Sequence, residues 1–543
     1  MSIVVGGYGL YVTYPGSPHS TSSPEPSGAV ASSASKTQGC GSVSGGANDN
    51  PVATRYGKSA YPWSDRIRWQ CVYNINDFAG DTPMARFIAA RDVAAANGGG
   101  VVFFPGGTYE FNEDLYLKNG VVLRGETPTA STNAQESGYA PPTKFVFPKY
   151  QPQLSGNGTS NETAFKKITT LNPDGDRNIG IVNIDINRAA ISLQGDLDTE
   201  DSQNTIVFGV RSNNIAEPDP QVPDLSFQAP WMRYSYRFAA NIKINAHQNI
   251  LVANNRLNDE ITDSYEQPGY RIKSLDGKEV VTYADGGKVP FDYGNHYGIV
   301  LNRSKANGFE KGATPQTEPG LFRSGIVARD NWVYHTMRVG ISASGDGLVL
   351  RDNQIVDKPD KQWWTDPTGR KEARGSVTLE NRAIDWSGWN AMIEGNRYQV
   401  YRHKIRDTQY LSVDGEGILI QECCGGTTVR GVTIANNSGN SYIGLYKVQD
   451  IQEAIVRGNQ VRNNPTNTES IYIVADTNAR GHAMENVTLE NNEVVGSILV
   501  KASAGGRNNR IVNNRGDNRG TIEFSCHVTT EDNIGFQIAP CLP

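Results

Sequence analysis

The sequence of 543 residues lacks three features that would decide its class at once. It contains no run of 18 apolar residues, so no integral membrane domain is expected. The formal net charge is −6 and no basic stripe is present to neutralise phosphates, which argues against a nucleic-acid partner. The six cysteines follow no zinc-site spacing. Cys526 with Cys541 and Cys40 with Cys71 are candidate disulfides at the two ends of the fold, and buried free thiols are the alternative.

The sequence does contain a repeated pattern of branched apolar residues, an asparagine and a further apolar residue. It is clear in Ile326–Val333 and again in Leu348–Ile355. In the second half of the chain the asparagines of this pattern are Asn331, Asn353, Asn396, Asn437, Asn459, Asn492 and Asn514. Most of their spacings are one or two steps of about 22 residues, and a fixed period of this size indicates stacked structural repeats.

Each repeat is rich in Val, Ile and Thr and alternates between apolar and polar residues, which is typical of short strands. Strands of four to five residues with asparagine turns, in about 22 residues, fit one coil of a parallel β-helix. Asparagine tolerates left-handed backbone, so each repeated asparagine is expected at a corner. A β-propeller is the alternative, but its blades repeat at about 40–50 residues.

The N-terminal region differs in composition from the repeats. Residues 1–14 are apolar and are interpreted as the remnant of a signal peptide or anchor, with an ordinary strand as the alternative. Residues 15–60 begin with a Pro/Ser/Gly-rich stretch and are predicted to be a linker. Residues 61–543 are predicted to form one domain. An export segment followed by a linker favours a secreted or extracytoplasmic protein.

Residues 61–127 carry a family resemblance. Tyr73–Thr82 leads into a helix-like stretch, Pro83–Asn97, which is followed by the Gly-rich and Pro-Gly-Gly-Thr-Tyr turns of Gly98–Tyr109. This order resembles the N-terminal cap of the pectate-lyase-like superfamily, which has the pectin lyase fold. The resemblance implies an all-β, right-handed parallel β-helix with a capping helix. Coils with long insertions are then expected over 128–324, and regular coils with the C-terminal end over 325–543.

One strand per coil lies between consecutive asparagine corners, and these strands can be aligned on their inward residues. We align them on Ile299, Ile341, Ile384, Ile418 and Ile443. Because side chains alternate along a strand, the next residues form an outward row: Val300, Ser342, Asp385, Leu419 and Gly444. A second outward row contains Tyr446. The coils between Tyr297 and Tyr446 are therefore the predicted functional face.

This face carries the carboxylates that a glycosidase needs as a pair. Asp385 lies in the aligned row, Asp346 lies one coil earlier, and Asp414 and Glu416 lie one coil later. All four are predicted catalytic residues of a glycoside hydrolase. The alternative for Asp346 and Asp414 is a structural role, because Asp-Gly sequences are strong turn signals.

A polysaccharide lyase would instead need a base and a cation beside a uronate group. Arg338 and Arg382 open successive strands, and His296 and Tyr297 precede them by one coil. Arg338 is assigned to catalysis and the other three to substrate binding, with simple solvation of strand ends as the alternative. Trp386, Trp389 and Tyr446 are also predicted to bind substrate, because sugar rings stack on aromatic side chains.

These observations predict an exported enzyme that cleaves a polysaccharide, with hydrolysis favoured. A lyase acting on an acidic glycan is the first alternative, and a non-catalytic glycan-binding or tailspike-type β-helix is the second. No cofactor is required by the sequence. The four carboxylates among residues 196–201 are a candidate Ca²⁺ site, and a solvated acidic loop is the other interpretation. The predicted oligomeric state is a monomer or a homotrimer.

Overall fold

The computed structural model divides into two units, residues 1–39 and 40–543. The structure describes residues of the second unit only. They are 49–148, 166–170, 172, 174–195, 201–215, 239–258, 265–266, 271–273, 279–282, 288–289, 296–301, 322–334, 339–357, 381–401, 403–404, 412–413, 415–420, 428–462, 469–477 and 480–543.

The described strands of the solenoid form three parallel sheets, and each strand pairs with the corresponding strand of the next coil. The prediction of a right-handed parallel β-helix is confirmed. We name the sheets by their order within a coil. Sheet 1 consists of Leu115–Leu117, Lys166–Thr170, Ala189–Gln194, Ala239–Asn245, His296–Leu301, Val339–Asp346, Asn381–Trp389, Gly415–Ile420, Ile443–Val448, Glu469–Thr477, Ser497–Ala502 and the end of Arg515–Phe524.

Sheets 2 and 3 complete each coil. Sheet 2 consists of Val72–Asn74, Gly100–Phe104, Val121–Gly125, Arg177–Val182, Gln203–Phe208, Gln248–Ala253, Ile326–Arg329, Val349–Arg351, Met392–Glu394, Val429–Ala435, Ile451–Arg457, Met484–Glu485, Thr488–Glu490, Gly506–Arg507, Asn509–Val512 and Val528–Glu531. Sheet 3 consists of Gly107–Glu110, Thr143–Val146, Asp185–Asn187, Arg211–Asn213, Arg256–Asn258, Trp332–Tyr334, Gln354–Val356, Arg397–Gln399, Ser438–Gly439, Gln460–Val461, Glu493–Val494, the start of Arg515–Phe524, and Ile534–Ile538.

Short antiparallel pairs stand apart from the three sheets. They join Tyr265–Glu266 to Lys288–Val289, Arg271–Lys273 to Glu279–Thr282, His403–Lys404 to Ser412–Val413, and Arg480–Gly481 to the end of Glu469–Thr477. The 3₁₀ helices are Pro62–Arg66 and Ile75–Asp77.

The predicted capping helix is α2, Pro83–Ala96. Its start is fixed by the Thr82 side chain, which accepts a hydrogen bond from the Ala85 N–H, and by a proline at the first helical position. Phe87, on the buried side of this helix, packs against Phe104 of the first coils. The helix therefore covers apolar residues at the end of the solenoid.

The boundary predicted for the linker is too late. Residues 51–56 form helix α1, which is capped by the Asn50 side chain. Val52 is fully buried, and with Ile67 and Trp69 it packs on the outer surface of sheet 2. Residues 49–60 are thus part of the solenoid unit. Within the described ranges, no helix is both long enough and apolar enough to cross a membrane.

A continuous ladder of buried asparagines runs up one corner of the solenoid. The Nδ2 of each residue donates to the Oδ1 of the next, over distances of 2.9–3.0 Å. The ladder contains all seven predicted asparagines and adds one at each end: Asn255, Asn331, Asn353, Asn396, Asn437, Asn459, Asn492, Asn514 and Asn533. Each coil of the solenoid therefore repeats the same side-chain hydrogen bond as well as the same strands.

The left-handed corner residue is not the ladder asparagine itself. It is the residue before it, such as Asp330 at φ 55°, Asp352 at φ 53° and Gly395 at φ 68°. The ladder asparagine then uses its amide to bind the coils on both sides. This corrects the expectation that the repeated asparagine adopts the left-handed backbone.

Candidate functional site

The strand register of sheet 1 matches the predicted alignment on the outer face. Val300 pairs with Ser342, Ser342 with Asp385, Asp385 with Leu419, and Leu419 with Gly444. The inward isoleucines pair in the same order. The sequence therefore predicted which residues of neighbouring coils lie side by side.

This outward row is covered and not open to solvent. Asp385 and Ser342 are each 1% exposed, and Leu419 is fully buried. A buried carboxylate of this kind is a candidate functional group.

The prediction for Trp386 is wrong. Trp386 is fully buried and belongs to the core inside the coil, together with Ile384. The physical reason is the alternation of side chains: if Asp385 points outward, its neighbour Trp386 points inward. It is not available to stack on a sugar.

Arg382 and Tyr442 both bind Glu416 on this face. Arg382 pairs in register with Glu416 on the next coil, and the Arg382 guanidinium forms an ion pair with the Glu416 carboxylate. The Tyr442 hydroxyl donates to Glu416 Oε1 at 2.9 Å. Arg382 lies on the outer side because Ala383 and Ile384 are both in the core, so the alternation is interrupted there. Glu416 thus accepts hydrogen bonds from a guanidinium and a phenol, as an ionised carboxylate does.

The spacing of Asp385 and Glu416 follows from the register. Glu416 lies opposite Arg382, three residues before the position opposite Asp385. With about 3.3 Å per residue and about 4.8 Å between strands, the two Cα atoms are about 11 Å apart. The side chains lie on the same face, so their carboxyl groups can approach more closely than the Cα atoms.

Asp346 and Trp389 lie further along the same strands and pair with each other in register. Asp346 Oδ1 accepts a hydrogen bond of 2.8 Å from Asn390 at the corner between sheets 1 and 2. By the same strand geometry its Cα is about 14 Å from that of Asp385. Trp389 is partly exposed, contacts Phe322 edge to face, and donates from Nε1 to the Thr428 carbonyl at 3.3 Å. Asp346 therefore lies apart from the Asp385 cluster.

The remaining predicted residues are less accessible or lie outside the described residues. Tyr297 is fully buried in a small apolar cluster with Ala240, Val300 and Val339 on the outer side of sheet 1. His296 and Tyr446 lie within strands of sheet 1, and only their backbones are described. Arg338, Asp414 and Asp196–Glu200 lie outside the described residues.

Of the acidic stretch proposed as a Ca²⁺ site, only Asp201 is described. It forms an ion pair with Arg177 at 2.6 Å. Among the described residues, no group of three or more His, Cys, Asp or Glu side chains is placed to hold a metal ion.

Sequence reasoning missed Tyr442 as a member of the cluster. It also assigned Arg382 and Glu416 separately, one to substrate binding and one to catalysis, although the two side chains bind each other. In the alignment Arg382 and Glu416 both lie two residues before an inward isoleucine, where strict alternation would turn them inward, so it gave no signal for their contact. Tyr442 lies one residue before the inward isoleucine of the following coil.

The three parallel sheets and their register from coil to coil define the fold as a right-handed parallel β-helix. No protein-family model and no curated protein matches the chain. Similar solved structures include the surface adhesin PfbA of Streptococcus pneumoniae, with 13% identity, a TM-score of 0.42, and coverage of 87% of this chain and 90% of that one.

The similar structures also include enzymes. The catalytic unit of the GH87 alpha-1,3-glucanase of Streptomyces thermodiastaticus has 12% identity and a TM-score of 0.36, with coverage of 86% of this chain and 69% of that one. The family 28 exopolygalacturonase of Yersinia enterocolitica has 11% identity and a TM-score of 0.33, with coverage of 87% of this chain and 77% of that one.

Proposed function

We propose that the protein hydrolyses an extracellular polysaccharide on the outer face of sheet 1, with Asp385 and Glu416 as the two carboxyl groups. The observation that carries this proposal is the Glu416 carboxylate held between Arg382 and Tyr442, one strand away from the buried Asp385. Two carboxyl groups in different environments on one face are the requirement of glycoside hydrolysis.

The environments suggest distinct roles for the two groups. Glu416 is held as an ionised acceptor and is suited to take a proton from the attacking water. Asp385 is suited to donate a proton to the leaving oxygen as the bond between that oxygen and the anomeric carbon breaks. The Cα separation of about 11 Å favours the wider carboxyl spacing of roughly 6.5–9.5 Å, which is that of inverting enzymes.

Hydrolysis is preferred over elimination because Arg382 is already engaged by Glu416. A lyase needs a cation that is available to neutralise the uronate carboxylate of its substrate. The two reactions are separated by their products. Hydrolysis releases reducing ends without absorbance at about 235 nm, whereas elimination produces an unsaturated uronate that absorbs there.

The test is a panel of neutral and acidic polysaccharides incubated with the full chain. We expect new reducing ends on at least one substrate, no rise in absorbance, and an initial product of inverted anomeric configuration by NMR. A product that absorbs at 235 nm would contradict hydrolysis and show that the reaction is an elimination.

A second candidate function is non-catalytic glycan binding. It does not require Val300, Ser342 or Asp385, each of which is 1% exposed, to reach a glycosidic bond. Retention of a polysaccharide on the immobilised protein, without release of products after prolonged incubation, would support this alternative over hydrolysis.

A further inference from the structure

A polar groove lies on the outer side of sheet 2 in the last coils, away from the Asp385 face. Its volume is about 520 Å³, within the range of ligand pockets. The centre of its floor is a row of three residues paired in register, Thr488, Arg510 and Thr529. Asn486, Asn508 and His527 line the groove beside this row.

The groove is held in shape by contacts between coils. Asn508 Nδ2 donates to Asn486 Oδ1 at 3.1 Å, which joins two coils at the corner. His527 lies in a turn closed by the hydrogen bond from the Val528 N–H to the Ser525 carbonyl, and the Cys526–Cys541 disulfide anchors the residue before it. These contacts fix the lining before any ligand binds.

Gly506 makes room for the imidazole. A Cβ at this position would lie 2.8 Å from His527 Cδ2, closer than ordinary contacts allow. The same Cβ would clash more closely still with the Met484 carbonyl oxygen and with Asn509 Nδ2, so an alanine here would disturb the whole lining.

The lining carries hydrogen-bond donors and positive charge but no carboxylate. Arg510 donates from Nε to Thr488 Oγ1 at 3.3 Å, and within the described residues its guanidinium forms no ion pair. Arg507 in the same sheet differs, because it pairs with Glu485 at 3.0 Å. The nearest acidic residues along the neighbouring strands are Glu490 and Glu531. Both pair in register with Val512 and not with Arg510.

His527 offers a further polar group. Its Nε2 atom is inaccessible to solvent and makes no hydrogen bond within the part of the chain that the structure describes. This atom is therefore turned away from the open groove, and His527 contributes to the shape of the lining. Burial lowers the pKa of the imidazole, so the ring is neutral at pH 7.

We propose that this groove binds an anionic group, a carboxylate or a sulfate, carried by an acidic sugar unit. Arg510 supplies the charge-assisted hydrogen bonds that such oxygens accept best, and the Asn and Thr side chains bind the remaining oxygens. No Phe, Tyr or Trp side chain lines the groove, so a neutral sugar lacks the large stacking surface that is usually its main source of affinity. The proposal is independent of the role of Asp385.

The experiment is titration calorimetry of the full chain with four probes: a glucuronate-containing oligosaccharide, a sulfated oligosaccharide, a neutral glucose oligosaccharide and sodium sulfate. Each is titrated into the wild type and into Arg510→Gln and His527→Gln. The matched control is Arg457→Gln, which removes an exposed arginine of the same sheet that does not line the groove. Thermal unfolding verifies that every variant is folded.

We expect the acidic oligosaccharides to bind and the neutral one not to bind. Arg510→Gln should weaken binding by about tenfold or more, the effect of a hydrogen bond to a charged group. His527→Gln should weaken it less, and Arg457→Gln should leave it unchanged. Equal binding of neutral and acidic probes, an unchanged affinity in Arg510→Gln, or binding of sodium sulfate alone would overturn the proposal. In the last case the groove is a site for a free inorganic anion.

Discussion

The asparagine ladder makes a quantitative prediction at its centre, Asn396. Its Nδ2 donates to the Leu350 carbonyl and to Asn437 Oδ1, each at 2.9 Å. Its Oδ1 accepts from the backbone N–H of Asn353 at 3.1 Å and from the Asn353 side chain at 2.9 Å. Asn396 is fully buried, so water cannot replace these bonds.

The perturbation is Asn396→Ala. It removes one hydrogen bond from the Leu350 carbonyl and two from Asn353, whose Nδ2 still donates to the Ala328 carbonyl. Asn437 Oδ1 still accepts from the backbone N–H of residue 396. A buried polar group left unsatisfied costs about 1–3 kcal/mol. Allowing for some relaxation, the free energy of unfolding should fall by about 4 kcal/mol.

The assay is urea unfolding followed by circular dichroism, with Asn533→Ala as the matched control. Asn533 ends the ladder and is partly exposed, so water can satisfy the groups that its loss uncovers. Its substitution should cost about 1 kcal/mol. If Asn396→Ala were no more destabilising than Asn533→Ala, the ladder would not be a main source of stability and the reasoning would be refuted.

Two further predictions concern other buried or cross-linked groups. Burial raises the pKa of Asp185, so its ionised form is disfavoured in the folded state and stability should decrease as the pH rises above about 3.8. Asp185→Asn removes this charge. The melting temperature of the variant minus that of the wild type should therefore be larger at pH 7 than at pH 3.5. The opposite trend would contradict burial as the cause of the raised pKa. The Cys526–Cys541 disulfide spans 15 residues, and Cys526→Ser with Cys541→Ser should lower the free energy of unfolding by about 3 kcal/mol. An unchanged urea midpoint would show that the closed loop does not constrain the unfolded chain.

The fold could be predicted because its determinants are periodic. The seven asparagines found by spacing all belong to one ladder, and the helix predicted over Pro83–Asn97 ends within one residue of the observed end. Asn255 and Asn533 were missed because the pattern was followed only within the regular coils. The corner conformation was misassigned because several repeats carry two consecutive asparagines, as at Asn491 and Asn492, and the sequence does not indicate which one is left-handed.

The strand register at the candidate site could be predicted from the sequence, but the side-chain contacts could not. The alignment on inward isoleucines placed Asp385 beside Ser342 and Leu419, as the structure does. It did not reveal that Arg382 and Glu416 form an ion pair, because an interruption at Ala383 turns Arg382 outward. Such local breaks in alternation have no clear signal in a single sequence.

The error at Trp386 has a different origin. Strict alternation already required this residue to point inward from an outward Asp385, and the clustering of aromatic residues in the sequence was given more weight than the alternation. Side-chain direction within a strand is therefore stronger evidence than proximity in sequence.

The most direct test of the central claim is the initial rate of polysaccharide hydrolysis by Asp385→Asn. On the substrate that the wild type cleaves, the rate should fall by about 10²–10⁴-fold, the contribution of a general acid. Asp346→Asn, at the corner about 14 Å away, should retain most of the activity. Equal rates for Asp385→Asn and the wild type, with both proteins folded, would contradict the assignment of the active site to this face.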